Sequence, residues 1–427
     1  MHLNTYDGNG GAGRACIRLN NALLSQNIDS KVIVHYKFGK NPRIGEFNHN
    51  LLQKMYTAGT IVLERILAKR YLKALRTPFS FTWFGRSVIH HPDVKAADII
   101  HLHWVNHGFL NPRYIAEIAR LKKPVVWTFH DSNSFTGGCH VRYDCDHFKR
   151  GCGNCPLLKV SSPNDYSHRI WQQKRDAYSR LDFTVISPSS WSRASVMESS
   201  LAGNKPLEQI PNTLETAVFR PMGKQEAKQK AGFAADKFIL LSGFMPSRKD
   251  LHKGTGYLLE SLEILKTKPG AKTEDIELVV FGNRNTEDVP EFPFKTTFLG
   301  TIGDDEKLAL CYAAADVFLI PSLEDNLPYT VMESLSCGTP VVSFKTGGIP
   351  DMVKHEYNGY LADYRSSESF AAGIMWMINY PEKEKLQRQS RQTVIDNFSE
   401  KVIAESHISL YHKLLKTSSP AGGDGRV

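Results

Sequence analysis

The sequence predicts an α/β protein with two Rossmann-like, doubly wound domains that face one another across a cleft. Continuously apolar strands alternate with helical segments, which is typical of a parallel sheet covered on both faces. This alternation occurs twice, and the stretch 210–221, bracketed by Pro211 and Pro221, separates the two sets like an interdomain linker. The chain length of 427 residues also suits two domains.

The order of segments predicts the domain boundaries. We expect an N-terminal Rossmann-like domain over 1–207 and a C-terminal one over 208–395. The helix 396–416 is expected to pack back on the N-terminal domain, and 417–427, which contains three glycines, to be disordered. The predicted strands are 31–34, 98–103, 125–129 and 183–187, then 238–242, 277–281, 297–299, 317–320 and 341–344.

Composition indicates a cytoplasmic protein with an anionic partner. The formal charge of +9 suits a nucleotide, a lipid phosphate or a membrane surface without choosing between them. No window has the eighteen or more apolar residues of a membrane span, and the N-terminus does not resemble a signal peptide. We therefore expect a cytoplasmic location, with the inner face of the cell membrane as an alternative.

The N-terminus combines a short strand with a glycine-rich turn. The segment 1–6 is too short for a full buried strand, so we expect either that the chain starts late or that the first strand is clipped. The turn 8–13 matches G-x-G-x-x-G, but no acid follows the next strand at 31–34 as a dinucleotide site would need. The turn is instead expected to let a ligand approach the backbone at Gly10 and Gly11.

The segment 51–76 has a helical pattern with basic residues between apolar ones. Such a pattern is typical either of a helix that faces the core with a solvated basic side, or of one that lies on an anionic membrane. The sequence leaves both interpretations open.

Histidines follow two predicted neighbouring strands. His130 lies at the carboxyl end of 125–129, where ligands of open α/β sheets collect, although a structurally satisfied loop histidine is the alternative. His101 and His103 are two positions apart on the preceding strand and should point to the same face.

Four cysteines within 139–155 form the pattern C-x5-C-x6-C-x2-C: Cys139, Cys145, Cys152 and Cys155. In a cytosolic chain this spacing favours a structural zinc bound by four thiolates over disulfides or unmetallated thiols. His140 and His147 are substitute ligands.

Two stretches of the second domain carry anion-binding and hydroxyl-binding groups. Arg248 and Lys253 lie in a loop after its first strand and can clamp a diphosphate, unless the loop is merely solvated. In 321–350, Asp325 precedes a helix that begins near Tyr329, and Glu333 lies in its second turn. Carboxylates accept from sugar hydroxyls, while a helix N-terminus attracts an anion.

Together these residues resemble glycosyltransferase family 4, a retaining group with the GT-B fold, and most closely its bacterial members in exopolysaccharide, colanic-acid-like and O-antigen assembly. The resemblance spans nearly the whole chain, and 321–350 is its specific part. It rests on Gly10-Gly11, His130-Asp131, 135–156, 210–212, Arg248 with Lys253-Gly254, and 321–350. The family's first acid is normally glutamate, whereas this chain has Asp325, with Glu324 beside it.

The resemblance implies roles for these residues in transfer from a nucleotide-diphosphate sugar to a glycan or polyprenyl-linked acceptor. Arg248 and Lys253 would hold the diphosphate, Glu333 the ribose and Asp325 the sugar hydroxyls, with help from the backbone at Asn326, Leu327 and Pro328. His130 would lie near the reacting sugar. Glycines 10 and 11 would border the cleft.

The implied hexosyl transfer is retaining and lacks an obvious enzyme nucleophile. Electrostatic stabilisation of the leaving diphosphate would be the main catalytic contribution. No D-x-D motif is placed to serve the donor, so activity without a catalytic cofactor or divalent cation is expected.

Three alternatives remain at this point: a GT-B nucleotide-sugar epimerase, a non-catalytic paralogue, and a zinc-containing nucleic-acid-binding protein. Against the last, aromatic residues do not alternate with a basic stripe around the cysteines, so no nucleic-acid partner is expected.

Overall fold

The computed structural model describes residues 1–8, 10–48, 50–73, 79–243, 251–269, 273–282 and 291–418. The chain divides into two compact units: Met1–Asn212 with Ile403–Val427, and Thr213–Val402. The first unit therefore ends at Asn212 rather than at 207, and the second continues to Val402. Arg248 and the expected tail beyond Ser418 lie outside the described residues.

The first unit is built on a seven-stranded parallel sheet. Its strand order is β3-β2-β1-β4-β5-β6-β7. The strands are β1 (His2–Tyr6), β2 (Val32–Tyr36), β3 (Ile44–Glu46), β4 (Ile100–Leu102), β5 (Val125–Thr128), β6 (Thr184–Ser187) and β7 (Leu207–Gln209). The helices are α1 (Gly10–Ser25), α2 (Leu51–Tyr71), α3 (Pro92–Ala96), α4 (Pro112–Glu117), α5 (Tyr166–Tyr178) and α6 (Ser190–Glu198).

The second unit repeats this plan on a six-stranded parallel sheet. Its strand order is β10-β9-β8-β11-β12-β13. The strands are β8 (Phe238–Gly243), β9 (Ile276–Phe281), β10 (Lys295–Gly300), β11 (Val317–Ile320), β12 (Val341–Phe344) and β13 (Gly359–Ala362). The helices are α7 (Lys224–Ala231), α8 (Thr255–Lys266), α9 (Asp305–Ala314), α10 (Tyr329–Ser336), α11 (Ile349–Met352), α12 (Ser367–Asn379) and α13 (Lys383–Phe398).

The final helix, α14 (Glu400–Ser418), starts in the second unit and continues in the first. Ile403, Ala404 and Leu410 are buried against Leu19 and Leu23 of α1. The apolar side chains of α14 thus complete one hydrophobic cluster of the first unit, where burial is favourable in proportion to the apolar area removed from water.

Both sheets are parallel throughout, which confirms the predicted doubly wound α/β class. The expectation that residues 1–6 are too short for a full buried strand was wrong. β1 has five residues, as many as β2, and pairs with β2 and β4 in the interior of the sheet. Four of its residues are buried, so the short segment is sufficient for a central strand.

Candidate active site

Three loops of the second unit pack together at the carboxyl ends of β11 and β12. The Leu323 amide donates to the His252 carbonyl at 2.8 Å, and the Gly348 amide donates to the Asp325 carbonyl at 3.0 Å. The Thr346 hydroxyl donates to the Leu323 carbonyl at 2.8 Å. Parallel strands place functional loops at this edge, so these bonds fix the loops where ligands of such sheets bind.

Two glycines permit this close approach. Gly254 has a φ of 68°, and a Cβ there would lie 1.9 Å from the Pro321 carbonyl oxygen. Gly347 has a φ of 55°, and a Cβ there would lie 1.9 Å from the Asp325 carbonyl oxygen. Only glycine combines the left-handed backbone with the missing side chain that both contacts require.

Lys253 and Asp325 form an ion pair in this loop cluster. Nζ of Lys253 lies 2.9 Å from Oδ2 of Asp325, and both side chains are partly exposed. The cluster therefore presents a cation and a carboxylate side by side. Such a pair suits a ligand that carries both an anionic group and hydroxyl groups. The lysine ammonium can donate to the anionic group, and the aspartate can accept from the hydroxyl groups.

Glu333 lies in α10, the helix that follows the loop containing Asp325, and is fully buried. The Tyr312 hydroxyl donates to Glu333 Oε2 at 3.3 Å. Burying a carboxylate is costly unless it accepts hydrogen bonds, and its oxygens offer about four acceptor positions. The carboxylate is therefore placed to accept hydroxyl hydrogens rather than to form a solvated surface charge.

Arg391 of α13 holds the C-terminal end of α10 in place. Its Nη1 donates to the Phe219 carbonyl at 2.6 Å and to the Ser336 carbonyl at 3.0 Å, and its Nη2 donates to the Thr216 carbonyl at 3.0 Å. The planar guanidinium thus ties the linker to the C-terminal end of α10. No sequence pattern pointed to Arg391, which lies 58 residues after Glu333 in an ordinary helical segment.

The residues at the start of α10 differ in what they offer a ligand. Asn326 is half-buried, whereas Leu327 and Pro328 are buried. Pro328 has no amide hydrogen, so of these three residues only Asn326 and Leu327 carry backbone N–H groups. The expected backbone contribution at Pro328 is therefore limited to its shape and its carbonyl.

The glycine turn of the first unit leads directly into α1. Gly10 begins α1 with a φ of 77°. A Cβ at Gly10 or Gly11 would meet nothing within 4 Å, whereas one at Gly13 would lie 2.9 Å from the Gly8 amide nitrogen. Gly10 and Gly11 thus border open space, and Gly13 is needed for packing against β1.

His130 follows β5, as predicted, and is a half-buried member of a chain of imidazoles whose other two members, His103 and His2, are buried. Nε2 of His130 lies 3.0 Å from Nδ1 of His103, and Nε2 of His103 lies 3.0 Å from Nδ1 of His2. The rings of His101 and His103 stack at 4.3 Å, which confirms that they share a face. Burial lowers the pKa of His130 to about 4 and the pKa values of His2 and His103 well below 6.5.

The proton positions of the three linked imidazoles depend on one another. A neutral imidazole has one N–H donor and one acceptor nitrogen. Each of the two N···N contacts needs one N–H donor, and His103 takes part in both with a single N–H. His103 must therefore donate to one neighbour and accept from the other, so the N–H groups point the same way along His2, His103 and His130. Whether Nδ1 of His130 donates or accepts is consequently set by His103.

Asp131 is held in place beside His130. Its Oδ2 accepts from Nδ1 of His140 at 2.7 Å and from Nε1 of Trp104 at 2.8 Å, and its Oδ1 accepts from the Asn133 amide at 2.8 Å. Burial alone would raise the pKa of Asp131, but His140 and these donors together lower it. Nε2 of His140 also lies 2.7 Å from the Ser80 hydroxyl, so both nitrogens of His140 are engaged.

The four predicted metal-ligating cysteines line one cavity of about 20 Å³ and are free thiols: Cys139, Cys145, Cys152 and Cys155. The Gly137 amide donates to Sγ of Cys152 at 3.1 Å. His147 also lines the cavity, with Nδ1 2.8 Å from the Gly153 carbonyl.

Among the described residues, only His2, His101 and His103 bring three ligand atoms within 4.8 Å of one another. Hydrogen bonds engage these imidazoles: Nδ1 of His2, both nitrogens of His103, and both nitrogens of His101, which contact the Tyr411 and Thr128 hydroxyls at 2.7 Å. The trio is therefore explained by contacts within the protein rather than by a metal.

The second unit is similar to a known family of domains. Residues 223–393 match the family model described as glycosyl transferases group 1. The fold is that of the GT-B glycosyltransferases. Its likeness to Anabaena HepE, solved in complex with UDP-glucose, has a TM-score of 0.63 at 15% identity and covers 96% of this chain and 98% of that one.

Curated relatives have matching names. The chain is 26% identical over 221 residues to D-inositol 3-phosphate glycosyltransferase of Segniliparus rotundus, which covers 49% of this chain. The match spans about half of that relative, 47% of its length. The chain is also 24% identical to WcaC of Escherichia coli K12, named as a colanic acid biosynthesis glycosyl transferase, over 80% of this chain and 82% of WcaC.

Proposed function

We propose that the protein is a retaining glycosyltransferase of family 4. It moves a hexosyl group from a nucleotide-diphosphate sugar to a glycan or polyprenyl-linked glycan in surface polysaccharide biosynthesis. The Lys253–Asp325 pair in the loop cluster of a group 1 glycosyltransferase domain carries this proposal. The UDP-glucose bound to HepE and the name of WcaC support the donor class and the pathway class, respectively.

The transfer breaks the bond between the sugar C1 and the diphosphate oxygen and forms a bond from C1 to the acceptor oxygen on the same face. The acceptor hydroxyl proton passes to the departing phosphate oxygen. Lys253 and the amides at the start of α10 stabilise the developing negative charge, and Arg248 is proposed to assist. Asp325 is proposed to accept from sugar hydroxyls and Glu333 from the ribose. A role of His130 beside the reacting sugar is proposed from the family resemblance alone.

A binding experiment with a matched control tests the donor site. Lys253→Met should weaken the binding of nucleotide sugars about 10- to 100-fold, since a charge-assisted phosphate contact contributes roughly 1.5–3 kcal/mol. Lys295→Met breaks another ion pair of the same unit, with Glu277 at 3.2 Å, and should leave affinity unchanged. Equal affinities for the wild type and Lys253→Met would contradict the assignment.

Product analysis separates transfer from epimerisation. With donor and acceptor, NMR of the product should show a glycosidic bond with the anomeric configuration of the donor. Sugar conversion with nucleoside diphosphate release but without an acceptor would instead indicate an epimerase. Binding without turnover over a broad panel of acceptors would favour a non-catalytic paralogue.

We also propose a structural zinc on the four thiolates of the cysteine-lined cavity. Residue type, spacing and the shared cavity fit zinc, while a tetrahedron with Zn–S distances of about 2.3 Å requires the sulfurs to draw closer. Four thiolates around Zn²⁺ leave a net negative charge. The buried Lys174 ammonium, which donates to the Thr136 carbonyl at 3.1 Å, lies beneath this loop and offsets that charge.

Metal analysis tests the zinc site. The purified protein should contain about one zinc per chain, and Cys152→Ser should lose it. Cys311→Ser replaces a buried free thiol of the other unit and should retain the zinc. A folded, zinc-free wild type, or equal zinc in both variants, would contradict the proposal.

A further inference from the structure

Helix α2 carries a large apolar surface that faces solvent. Its six most exposed apolar side chains are Leu51, Leu52, Met55, Tyr56, Val62 and Ile66. At about 100° per residue they fall within an arc of about 140° on one side of the helix. We call this surface the apolar arc. Monomeric soluble proteins rarely expose contiguous apolar patches, and those that exist commonly mark interaction sites.

The opposite side of α2 attaches to the first unit through polar groups in its middle and through Ala68 and Tyr71 near its C-terminal end, which pack against a hydrophobic cluster. The buried residues of the helix are Thr57, Thr60 and Glu64. The Thr57 hydroxyl donates to Asn48 Oδ1 at 3.1 Å, and the Phe81 amide donates to Glu64 Oε1 at 3.1 Å. An ordinary surface helix turns its apolar side to the core, whereas most apolar side chains over 51–67 face solvent. The core-facing interpretation is therefore wrong for this part of the segment.

The charged side chains that α2 itself exposes are all basic. Arg65, Lys69 and Arg70 are exposed on α2. Lys54 is exposed as well, and its Nζ pairs with Oε2 of Glu46 in β3 at 2.7 Å. Glu64 is the single acid of the helix, and it is buried. The exposed surface of α2 therefore combines apolar and cationic side chains without an acidic one.

The segment that follows the cysteine-lined cavity extends this surface. The Lys159 amide donates to the Tyr71 carbonyl at 2.8 Å, and its Nζ donates to the Lys69 carbonyl at 2.7 Å. Val160, the next residue, is highly exposed. Another apolar side chain thus joins the C-terminal end of α2.

We propose that the apolar arc docks on the surface of an anionic lipid bilayer, with α2 lying in the interfacial plane. Apolar side chains of such a helix enter the boundary between headgroups and acyl chains while cations contact anionic headgroups. A second copy of the chain fits less well, because a two-fold contact would bring the same cationic flanks together. None of the helices that the structure describes has the length and apolarity required to cross a bilayer.

Vesicle co-sedimentation of the full chain tests this surface without any nucleotide sugar, so its outcome is independent of the transferase proposal. The wild type should bind vesicles that contain phosphatidylglycerol and bind phosphatidylcholine vesicles much more weakly. Removing Lys69 and Arg70 together by glutamine substitution should weaken binding about fivefold per charge, since each cation near an anionic surface contributes about 1 kcal/mol.

A matched pair of variants isolates the apolar contribution. Ile66 and Met197 are both 55% exposed, the first on the apolar arc and the second on α6. Ile66→Glu should abolish sedimentation, whereas Met197→Glu should not change it, with circular dichroism showing that both remain folded. Equal loss in both variants, no binding by the wild type, or equal binding to both vesicle types would overturn the proposal. A dimer that Ile66→Glu dissociates would reassign the surface to a second copy.

Discussion

The ion pair between Lys253 and Asp325 makes a prediction that separates the nucleotide from the sugar. In the ligand-free protein, Nζ of Lys253 lies 2.9 Å from Asp325. A bound diphosphate must compete with this carboxylate for the cation and must also lie near its negative charge. Asp325→Asn removes both effects while preserving size, so it should strengthen the binding of a nucleoside diphosphate that lacks a sugar.

The expected gain is modest because the pair is partly exposed. The Lys253 and Asp325 side chains are 35% and 21% exposed, and such ion pairs typically contribute about 0.2–1 kcal/mol. Asp325→Asn should therefore raise the affinity for the nucleoside diphosphate by up to about fivefold. The gain should be smaller at high salt, where exposed charges are screened. The nucleotide sugar should bind more weakly, because a carboxylate acceptor of its hydroxyls is lost.

Isothermal titration calorimetry with UDP and UDP-glucose, at low and high salt, measures both changes. Glu277→Gln is the control, since it breaks the Lys295 ion pair of the same unit and should alter neither affinity. Parallel weakening of both ligands in Asp325→Asn, or no change in either, would refute the reasoning.

Three further predictions concern the scaffold and the buried histidines. In thermal unfolding, Gly254→Ala should destabilise the second unit by several kcal/mol, because the new Cβ would lie 1.9 Å from a carbonyl oxygen. Gly256→Ala is the control: its Cβ would meet nothing within 4 Å, so this variant should be neutral or more stable by up to about 1 kcal/mol. The pKa of His130 is about 4 when folded against about 6.5 when unfolded, so the unfolded state binds more protons between these values. The contribution of His130 to the free energy of unfolding should be complete above about pH 6.5 and should be lost as the pH falls toward 4, a change of about 3 kcal/mol. A constant Tm between pH 7 and pH 5 in calorimetry would contradict this. ¹⁵N NMR should show one tautomer for His130 in the wild type and a mixture in His103→Leu, and the same tautomer in both would disprove the dependence of the proton positions on one another.

Sequence patterns predicted the parts of the fold that bury continuous apolar runs. β11 and β12 have the predicted bounds, and α10 begins at Tyr329 as expected. Elements with short or polar sequences were missed, such as β3 and α6. Their positions depend on pairing and packing with distant segments, which a local pattern does not contain.

The candidate site was predicted as residue types rather than as contacts. The sequence indicated Lys253 and Asp325 separately, 72 residues apart, but their ion pair depends on two glycine-dependent loop approaches. The link from His130 through His103 to His2 spans three strands and has no local sequence signal. The sequence pattern of α2 also did not show which side of the helix is buried. Thr57, Thr60 and Glu64 form the buried side because of contacts with segments outside the helix.

The most direct test of the central claim is thermal unfolding of the full chain with a panel of nucleotide-diphosphate sugars, comparing the wild type with Glu333→Ala. A ligand at 100 times its Kd should stabilise the native state by about 2.7 kcal/mol. We predict that at least one nucleotide sugar raises the Tm of the wild type and leaves that of folded Glu333→Ala unchanged. Equal Tm shifts in both proteins, or no shift in the wild type with any donor, would contradict a nucleotide-sugar site at Glu333.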